Sequence, residues 1–229
     1  MEIIRLEDVT KIYGGRFEVK AVNCISLAVE SGEFLCLAGP SGSGKTTLLS
    51  LIGGLSRPTS GRVFVAGEDI TQLSAGKLAD FRLYTTGFIF QELNLIPVLT
   101  IKENVEFGLL LQRVPAQERM KRVEAILSEL ELLEYSDRKP MEISGGQQQR
   151  AAVARAIVSK PALVLADEPT ANLDYASTRN LVMLMKRLNL ETGITFIFAT
   201  HDEAVLQEAS RVVFLRDGRI VEGRVYAGR

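Results

Sequence analysis

The segment with the clearest chemistry is residues 39–46, which read GPSGSGKT and complete the pattern G-x-x-x-x-G-K-[ST]. A buried-strand pattern at 32–38 precedes this phosphate loop, and a helical run at 47–52 follows it. Glycines let the backbone curl so that successive N–H groups face a phosphate, and the following helix adds its positive N-terminus. Lys45 can reach the β- and γ-phosphates, and the Thr46 hydroxyl can ligate Mg²⁺. We therefore predict that a nucleoside triphosphate binds here, the alternative being a Gly/Ser-rich turn that matches by chance.

Two adjacent acids, Asp167 and Glu168, end the apolar strand pattern that begins at Leu163. Neighbouring side chains of a strand point to opposite faces, so we expect the two carboxylates to do different work. One acid can hold the water shell of Mg²⁺ while the other faces an attacking water, as hydrolysis of a γ-phosphoryl group requires. The alternative is that both are only the polar end of a strand.

Residues 143–150 read ISGGQQQR and precede a helical run at 151–158. Ser144 and Gln147 fit a capping box of the form S-x-x-Q, which indicates the start of a helix. The two glycines between them leave backbone N–H groups exposed at that helix N-terminus, where anions bind well. A helix start and an anion site are compatible, but this segment has no phosphate of its own.

The sequence contains one histidine, His201, within the stretch FIFATHDE. Taken alone, it is either a packed residue near a strand end or a chemical group, and a catalytic histidine needs partners. We also expect Thr200 and Glu203 to form a capping box for the helix that follows.

Short apolar runs alternate with helical patterns, which predicts a parallel sheet covered on both faces. The runs lie at 32–38, 162–166, 195–199 and 212–215. Within 117–133, apolar residues fall at i, i+3, i+4 and i+7, which predicts one amphipathic helix. These residues are Val123, Ile126, Leu127 and Leu130. The pair Asp217-Gly218 between two strand patterns predicts a β-hairpin.

A chain of 229 residues with 46% hydrophobic and 24% charged residues is globular and long enough for one large α/β domain or two small ones. The sequence has no long linker, repeat or low-complexity tract, so we predict one domain with possible subdomains. The formal net charge of −1 gives no global attraction to nucleic acid. The apolar runs are much shorter than the roughly 20 residues of a membrane span, and the N-terminus lacks a signal-peptide pattern. Cys24 and Cys36 fit no disulfide framework, and we expect both in the core of a protein in a reducing compartment.

The segments GPSGSGKT, ISGGQ, LVLADEP and ATHD together resemble the ATP-binding cassette (ABC) ATPases, the nucleotide-binding subunits of ABC transporters. The resemblance covers essentially the whole chain and implies one domain, 1–229, with the α/β fold of the P-loop NTPases. That fold has a mainly parallel central sheet, an N-terminal antiparallel β subdomain, and a helical subdomain near 92–158 that carries the signature, ISGGQ. The resemblance further implies ATP as substrate and Mg²⁺ as cofactor.

ABC ATPases form head-to-tail dimers in which two ATP molecules lie between one subunit's phosphate loop and the other's signature. This implies that Ser144 and the glycines after it meet the γ-phosphate across the interface, which accounts for the anion site without a phosphate. The nucleotide-binding residues implied are Tyr13, Gly39, Pro40, Ser41, Gly42, Ser43, Gly44, Lys45, Thr46, Thr47, Ser144, Gly145, Gly146, Gln147 and Asp174.

The resemblance also assigns roles to single residues. Tyr13 matches the aromatic that stacks on adenine, although it could be an ordinary strand-edge residue. Gln91 matches a glutamine that contacts Mg²⁺ and the attacking water and begins the stretch that touches a membrane partner. Glu168 becomes the general base, and His201 holds the γ-phosphate and the water. Asp174 lies in a loop that communicates between the two sites, or simply caps the next helix. The residues assigned to Mg²⁺ are Thr46, Gln91 and Asp167.

The stretches ADEPTANLD and GFIFQELNLIPVLTIKENVEFGL are similar to the branch with the lipoprotein-release, macrolide-export and cell-division cassettes. This implies an ATP-dependent homodimer that drives an integral membrane permease from the cytoplasmic face of the inner membrane. Ile143 and the pair Ala171-Asn172 depart from the commonest residues of the family without removing a catalytic group.

Three other functions are compatible with a phosphate loop of this kind. A regulatory cassette of cell-division type would signal across the membrane without transport. A DNA-maintenance ATPase is disfavoured because the interval between Lys45 and Ser144 is too short for its long coiled coil. A GTPase is disfavoured because the sequence contains no N-K-x-D motif.

Overall fold

A computed structural model describes residues 1–15, 17–171 and 173–225 of the chain. The strands are β1 Glu2–Tyr13, β2 Val19–Glu30, β3 Phe34–Ala38, β4 Ser60–Val65, β5 Glu68–Asp69, β6 Thr86–Ile89, β7 Leu163–Asp167, β8 Thr195–Ala199, β9 Arg211–Arg216 and β10 Arg219–Val225. The helices are α1 Lys45–Ile52, α2 Ala75–Thr85, α3 Ile101–Leu111, α4 Ala116–Glu129, α5 Gly145–Ile157, α6 Tyr175–Thr192 and α7 Glu203–Glu208. Three short 3₁₀ turns lie at Ile70–Gln72, Leu133–Tyr135 and Pro140–Glu142.

The strands of the described residues form two sheets. The first is antiparallel with the order β2-β1-β4-β5. The second has the order β10-β9-β3-β8-β7-β6, and every pair in it is parallel except the hairpin of β9 and β10. This arrangement confirms the predicted α/β fold with a mainly parallel central sheet and an N-terminal antiparallel sheet.

The central strands are buried on both faces because their side chains alternate between two apolar cores. Phe34 and Cys36 of β3 pack into one core with α3, α5 and α6, where the Phe34 and Phe198 rings lie 4.5 Å apart. Leu35 and Leu37 enter the other core with α1 and the antiparallel sheet. Continuous apolar runs in the sequence are therefore the mark of strands in the middle of this sheet. The carboxyl ends of these parallel strands meet at one edge, where the motifs lie.

The local predictions for the hairpin and the amphipathic helix are confirmed. Asp217 and Gly218, with φ of 50° and 72°, join β9 to β10. Helix α4 buries Val123 and Leu127, and Leu130 is buried at its C-cap. None of the described helices combines the length and the hydropathy that a membrane span requires.

The prediction that both cysteines lie in the core is wrong for Cys24. Cys36 is fully buried in β3, but Cys24 is exposed in β2 with a φ of 53°. Its backbone N–H donates to the Thr10 hydroxyl at an irregularity in the β1–β2 ladder, so the local bulge turns Cys24 outward.

Candidate active site

The phosphate loop joins β3 to α1 and depends on two glycines for its curvature. A Cβ on Gly39, which has a φ of 148°, would lie 2.2 Å from the Leu215 carbonyl oxygen. A Cβ on Gly44, which has a φ of 103°, would lie 2.2 Å from the Ala21 carbonyl oxygen. Only glycine fits these positions, and its use lets the loop pack closely against β2 and β9.

The phosphate loop carries several hydrogen-bond donors that could bind a phosphate group. The Lys45 ammonium donates to the carbonyl oxygens of Gly39, at 2.8 Å, and Pro40, at 3.1 Å. The buried Ser43 hydroxyl has no hydrogen-bond partner within the described residues. Gly44 is the N-cap of α1 and has no side chain to bond the first N–H groups of the helix. An ammonium, a spare hydroxyl and free N–H groups are the donors that a phosphate group requires.

Asp167 and Thr46 meet at the floor of the loop. The Thr46 hydroxyl donates to the Asp167 carboxylate at 2.9 Å. Burial raises the pKa of Asp167 above its usual value, and the bond from Thr46 partly offsets this. Two hard oxygen ligands side by side are a donor set that suits Mg²⁺, which takes its other ligands from water and substrate phosphates.

Glu168 turns away from Asp167 for a reason that differs from strand alternation. Strand β7 ends at Asp167, and Glu168 follows with a φ of 44°. Its N–H donates to the Ala199 carbonyl at 2.9 Å, which directs the side chain toward the end of β8. The two acids do point to different partners, as expected, but the cause is the left-handed backbone of Glu168 and not alternation along a strand.

The Glu168 carboxylate is held from two sides. One oxygen accepts a hydrogen bond from the Thr200 hydroxyl at 2.7 Å, and the other lies 2.9 Å from His201 Nδ1. The His201 side chain is 78% exposed, so it is not a packed core residue. The expected capping box of Thr200 and Glu203 is wrong. The N-cap of α7 is Asp202, whose carboxylate accepts from the Ala204 N–H, while Thr200 is engaged with Glu168.

One cleft of about 710 Å³ brings most of the predicted groups together. It is lined by Val19, Ala21, Gly39, Pro40, Ser41, Gly42, Ser43, Gly44, Lys45, Thr46, Thr47, Gln91, Glu168, Ala171 and His201. Tyr13 lies outside this lining, although its partner in the β1–β2 ladder, Val19, belongs to it. The Tyr13 ring is about half exposed and lies under the Lys11 ammonium, 5.2 Å from the ring centre.

Ser144, Gly146 and Gln147 lie elsewhere and line a separate cavity of about 480 Å³. The predicted capping box of Ser144 and Gln147 is confirmed, with both of its hydrogen bonds present. Gly145 is the first residue of α5, and a Cβ there would meet no atom within 4 Å. The signature is thus an open helix N-terminus that does not share a cleft with the phosphate loop of the same chain.

Asp174 caps the N-terminus of helix α6. Its carboxylate accepts from the N–H of Ser177 at 3.0 Å and from the Ser177 hydroxyl at 2.7 Å, which makes it the N-cap of α6. Of the loop before it, Ala171 lines the cleft, whereas Asn172 lies outside the described residues.

Two residues near the site were missed by sequence reasoning. Thr200 was interpreted only as a cap, because nothing in the sequence links it to Glu168. Arg155 lies in α5 and donates to the carbonyl oxygens of Leu93 and Asn94, two residues with left-handed backbones that follow Gln91. Burial lowers the pKa of its guanidinium. A lone arginine within the apolar run AAVARAIV was the available signal.

Comparisons with known proteins support a single family. A family profile described as "ABC transporter" matches residues 22–171. The "Macrolide export ATP-binding/permease protein MacB" of Hyphomonas neptunium is 44% identical over 220 residues, which are 96% of this chain and 34% of that protein. The chain thus spans about a third of the MacB relatives that it matches. An "Uncharacterized ABC transporter ATP-binding protein" of Thermotoga maritima is 42% identical, covering 96% of this chain and 94% of that protein.

Solved structures show the same similarity. A structure described as "Dimeric structure of a post-hydrolysis state of the ATP-binding cassette MJ0796 bound to ADP and Pi" superimposes with a TM-score of 0.92 at 38% identity. The match covers 99% of this chain and 100% of that chain.

Proposed function

Since the chain belongs to the ABC transporter family and is an ATP-binding subunit of the MacB and MJ0796 type, we propose that it couples ATP hydrolysis to work by a separate membrane subunit. The observation that carries the proposal is the cleft, which is lined by the phosphate loop and by the pair of Glu168 and His201. Hydrolysis needs both a cradle for the triphosphate and a base for water, and this cleft contains both kinds of group.

The roles of the cleft residues follow from their present contacts. Lys45 would give up one of its two carbonyl contacts and use that donor and its third N–H for oxygens of the β- and γ-phosphates. The Ser43 hydroxyl would find the partner that it lacks. Glu168 would take a proton from the attacking water. His201, which is exposed, is free to turn from Glu168 to the γ-phosphate. Tyr13 would stack on adenine beside Val19.

Magnesium is the cofactor that the donor set fits. Thr46, Asp167 and Gln91 would hold it together with water and phosphate oxygens, and the ion would neutralise charge that develops on the phosphates. Thr46 and Asp167 already lie within hydrogen-bond distance of each other, so this pair needs little rearrangement to share one ion.

We propose a head-to-tail dimer in the ATP-bound state. The solved relatives are described as dimeric, and the open N-terminus of α5 in this chain has free N–H groups but no phosphate loop in its own cavity. A second copy would supply the phosphate, with Ser144, Gly145, Gly146 and Gln147 facing it. Asp174 would place the loop before α6 at this interface.

A groove beside the cleft is the candidate surface for the membrane subunit. It has a volume of about 590 Å³, and its apolar lining includes Leu55, Leu83, Phe88, Phe90 and Leu111. Phe90 lines this groove and the next residue, Gln91, lines the cleft, so one segment joins the two. We propose that helices α3 to α5 act as a helical subdomain near 92–158 that forms one wall of the groove.

The MacB relatives are named as ATP-binding/permease proteins, and this chain matches about a third of their length. We therefore propose that a permease is the partner, that the ATPase lies on the cytoplasmic face of the inner membrane, and that the pair exports a substrate, releases lipoproteins or transmits mechanical force.

The test measures phosphate release from ATP by the purified chain in the presence of Mg²⁺. The same assay is then repeated with a permease subunit in vesicles. We expect turnover that the permease stimulates, with flux of a substrate. Turnover without flux would favour the regulatory role of a cell-division cassette. No turnover in either setting would contradict the proposal.

A further inference from the structure

We propose that Thr200 is a positioning residue that holds the Glu168 carboxylate in its catalytic orientation. The inference rests on the proposed hydrolysis of ATP, in which Glu168 is the base. It assigns to Thr200 a role that acts through Glu168 and requires no contact with substrate.

The hydrogen-bond partners of Thr200 fix the direction of its hydroxyl. Thr200 is fully buried, and its hydroxyl oxygen accepts from the Asp202 N–H at 3.1 Å. A hydroxyl has one hydrogen to donate, and here that hydrogen goes to Glu168 Oε2 at 2.7 Å. Because the Asp202 N–H bonds the same oxygen, rotation of the Thr200 side chain about χ1 would break both hydrogen bonds.

The backbone around Thr200 is equally fixed. Its N–H donates to the Leu37 carbonyl of β3 at 3.2 Å, and the preceding carbonyl, of Ala199, accepts from the Glu168 N–H. The Asp202 carboxylate accepts from the Thr170 hydroxyl at 2.7 Å, which ties the segment after Thr200 to the segment after Glu168. The hydroxyl of Thr200 is therefore a donor with a defined position relative to the backbone of Glu168.

The second contact of Glu168 cannot do the same work. The His201 side chain is 78% exposed, and an exposed ring retains its rotamer freedom. In the proposed mechanism His201 also turns toward the γ-phosphate and so leaves the carboxylate. Of the two contacts, Thr200 is then the one that keeps the base oriented when water attacks the γ-phosphate, and orientation of this kind contributes strongly to rate.

The experiment compares Thr200→Val, which replaces the hydroxyl by a methyl group, with Thr200→Ser, which keeps the hydroxyl. For Thr200→Val we expect kcat to fall about 10- to 100-fold while KM for ATP changes less than about threefold, because only the orientation of the base is lost. Thr200→Ser should keep kcat within about threefold of the value for the original protein. Thr200→Ala serves as a second hydroxyl-free variant if the valine does not fold.

A matched control is Thr195, the first residue of strand β8, which Thr200 directly follows. Thr195 is also fully buried, and its hydroxyl accepts from the Gly32 N–H at 2.9 Å without contact to the cleft. Thr195→Val should lower thermal stability by a similar amount to Thr200→Val but leave kcat near its original value. Equal losses of kcat in the two variants would indicate a merely structural effect and overturn the inference.

The Glu168→Gln background separates this inference from the proposed function. If Thr200 acts through the base, Thr200→Val should slow the residual hydrolysis of Glu168→Gln by less than about twofold. The same 10- to 100-fold loss in both backgrounds would overturn the inference, as would a Thr200→Val enzyme that is as fast as the original or faster.

Full turnover in Glu168→Gln alone would instead refute Glu168 as the base. If the original protein shows no turnover, a crystal structure of Thr200→Val decides the inference on its own: an unchanged Glu168 carboxylate would overturn it.

Discussion

Replacement of Lys45 by alanine is the sharpest test of the cleft, because the hydrogen bonds that Lys45 makes now set the size of the expected loss of ATP affinity. Lys45 is 8% exposed, and its ammonium is bonded to the carbonyls of Gly39 and Pro40. Attraction between an ammonium and a phosphate oxygen about 4 Å apart is worth about 4 kcal/mol at an effective dielectric constant of about 20. The ammonium has three donors and uses two of them on carbonyls, so contacts to two phosphate oxygens displace one carbonyl bond. That exchange costs about 2 kcal/mol, since a hydrogen bond to a charged group contributes about 1.5–3 kcal/mol.

The net contribution of Lys45 to ATP binding is thus about 2 kcal/mol, or about 30-fold in Kd. The assay is isothermal titration of the Lys45→Ala protein with ATP and Mg²⁺. We expect Kd to rise about 10- to 100-fold, less than the full charge interaction because the free lysine is already satisfied.

Lys186 provides the control for this prediction. It is also partly buried and donates to a backbone carbonyl, that of Glu208, at 3.1 Å, but it lies outside the cleft lining. Burial lowers its pKa. Lys186→Ala should lose stability without a change in ATP affinity. A Lys45→Ala protein that binds ATP within about threefold of the original affinity would refute the reasoning, as would equal losses in both variants.

Three further predictions concern the dimer and the cysteines. Glu168→Gln should lower turnover about 10²- to 10⁴-fold while binding ATP, and light scattering should show it dimeric with ATP and Mg²⁺ but monomeric without nucleotide. A monomer that demonstrably binds ATP would count against the nucleotide sandwich. Ser144→Arg in that background should abolish the ATP-dependent mass shift, because the large, positively charged arginine side chain would fill the open helix N-terminus. An unchanged shift would refute the intersubunit contact. In thiol titration at pH 8, Cys24 should react at once and Cys36 only on unfolding, because burial, chiefly, raises the pKa of Cys36 to about 12. Rapid reaction of both thiols would contradict this assignment.

The sequence predicted those features that depend on neighbours along the chain. The phosphate loop, the capping box at Ser144 and the hairpin at Asp217 each lie within a few residues, so their patterns are local. The buried strands were also recognisable, because a strand covered on both faces reads as a continuous apolar run.

The features that sequence reasoning missed depend on contacts between distant segments. The direction of Glu168 is set by the Ala199 carbonyl and the Thr200 hydroxyl, which belong to the neighbouring strand of the sheet. The alternation rule failed at Glu168 because it applies only inside a strand, and β7 ends one residue earlier. Cys24 is exposed because a ladder irregularity reverses the expected side of the strand.

The hydrogen bonds of Arg155 give helix α5 a pivot near its C-terminal end. The guanidinium is tied to the backbone that follows Gln91, and Ser144 caps the opposite end of the same helix. At 1.5 Å per residue, the arm from Arg155 to Ser144 is about 16 Å long. A tilt of about 10° around this pivot displaces Ser144 by about 3 Å, which is the length of a hydrogen bond. In the dimer proposed above, a tilt of this size would be enough to make or break the phosphate contact of Ser144 at the tip of the helix.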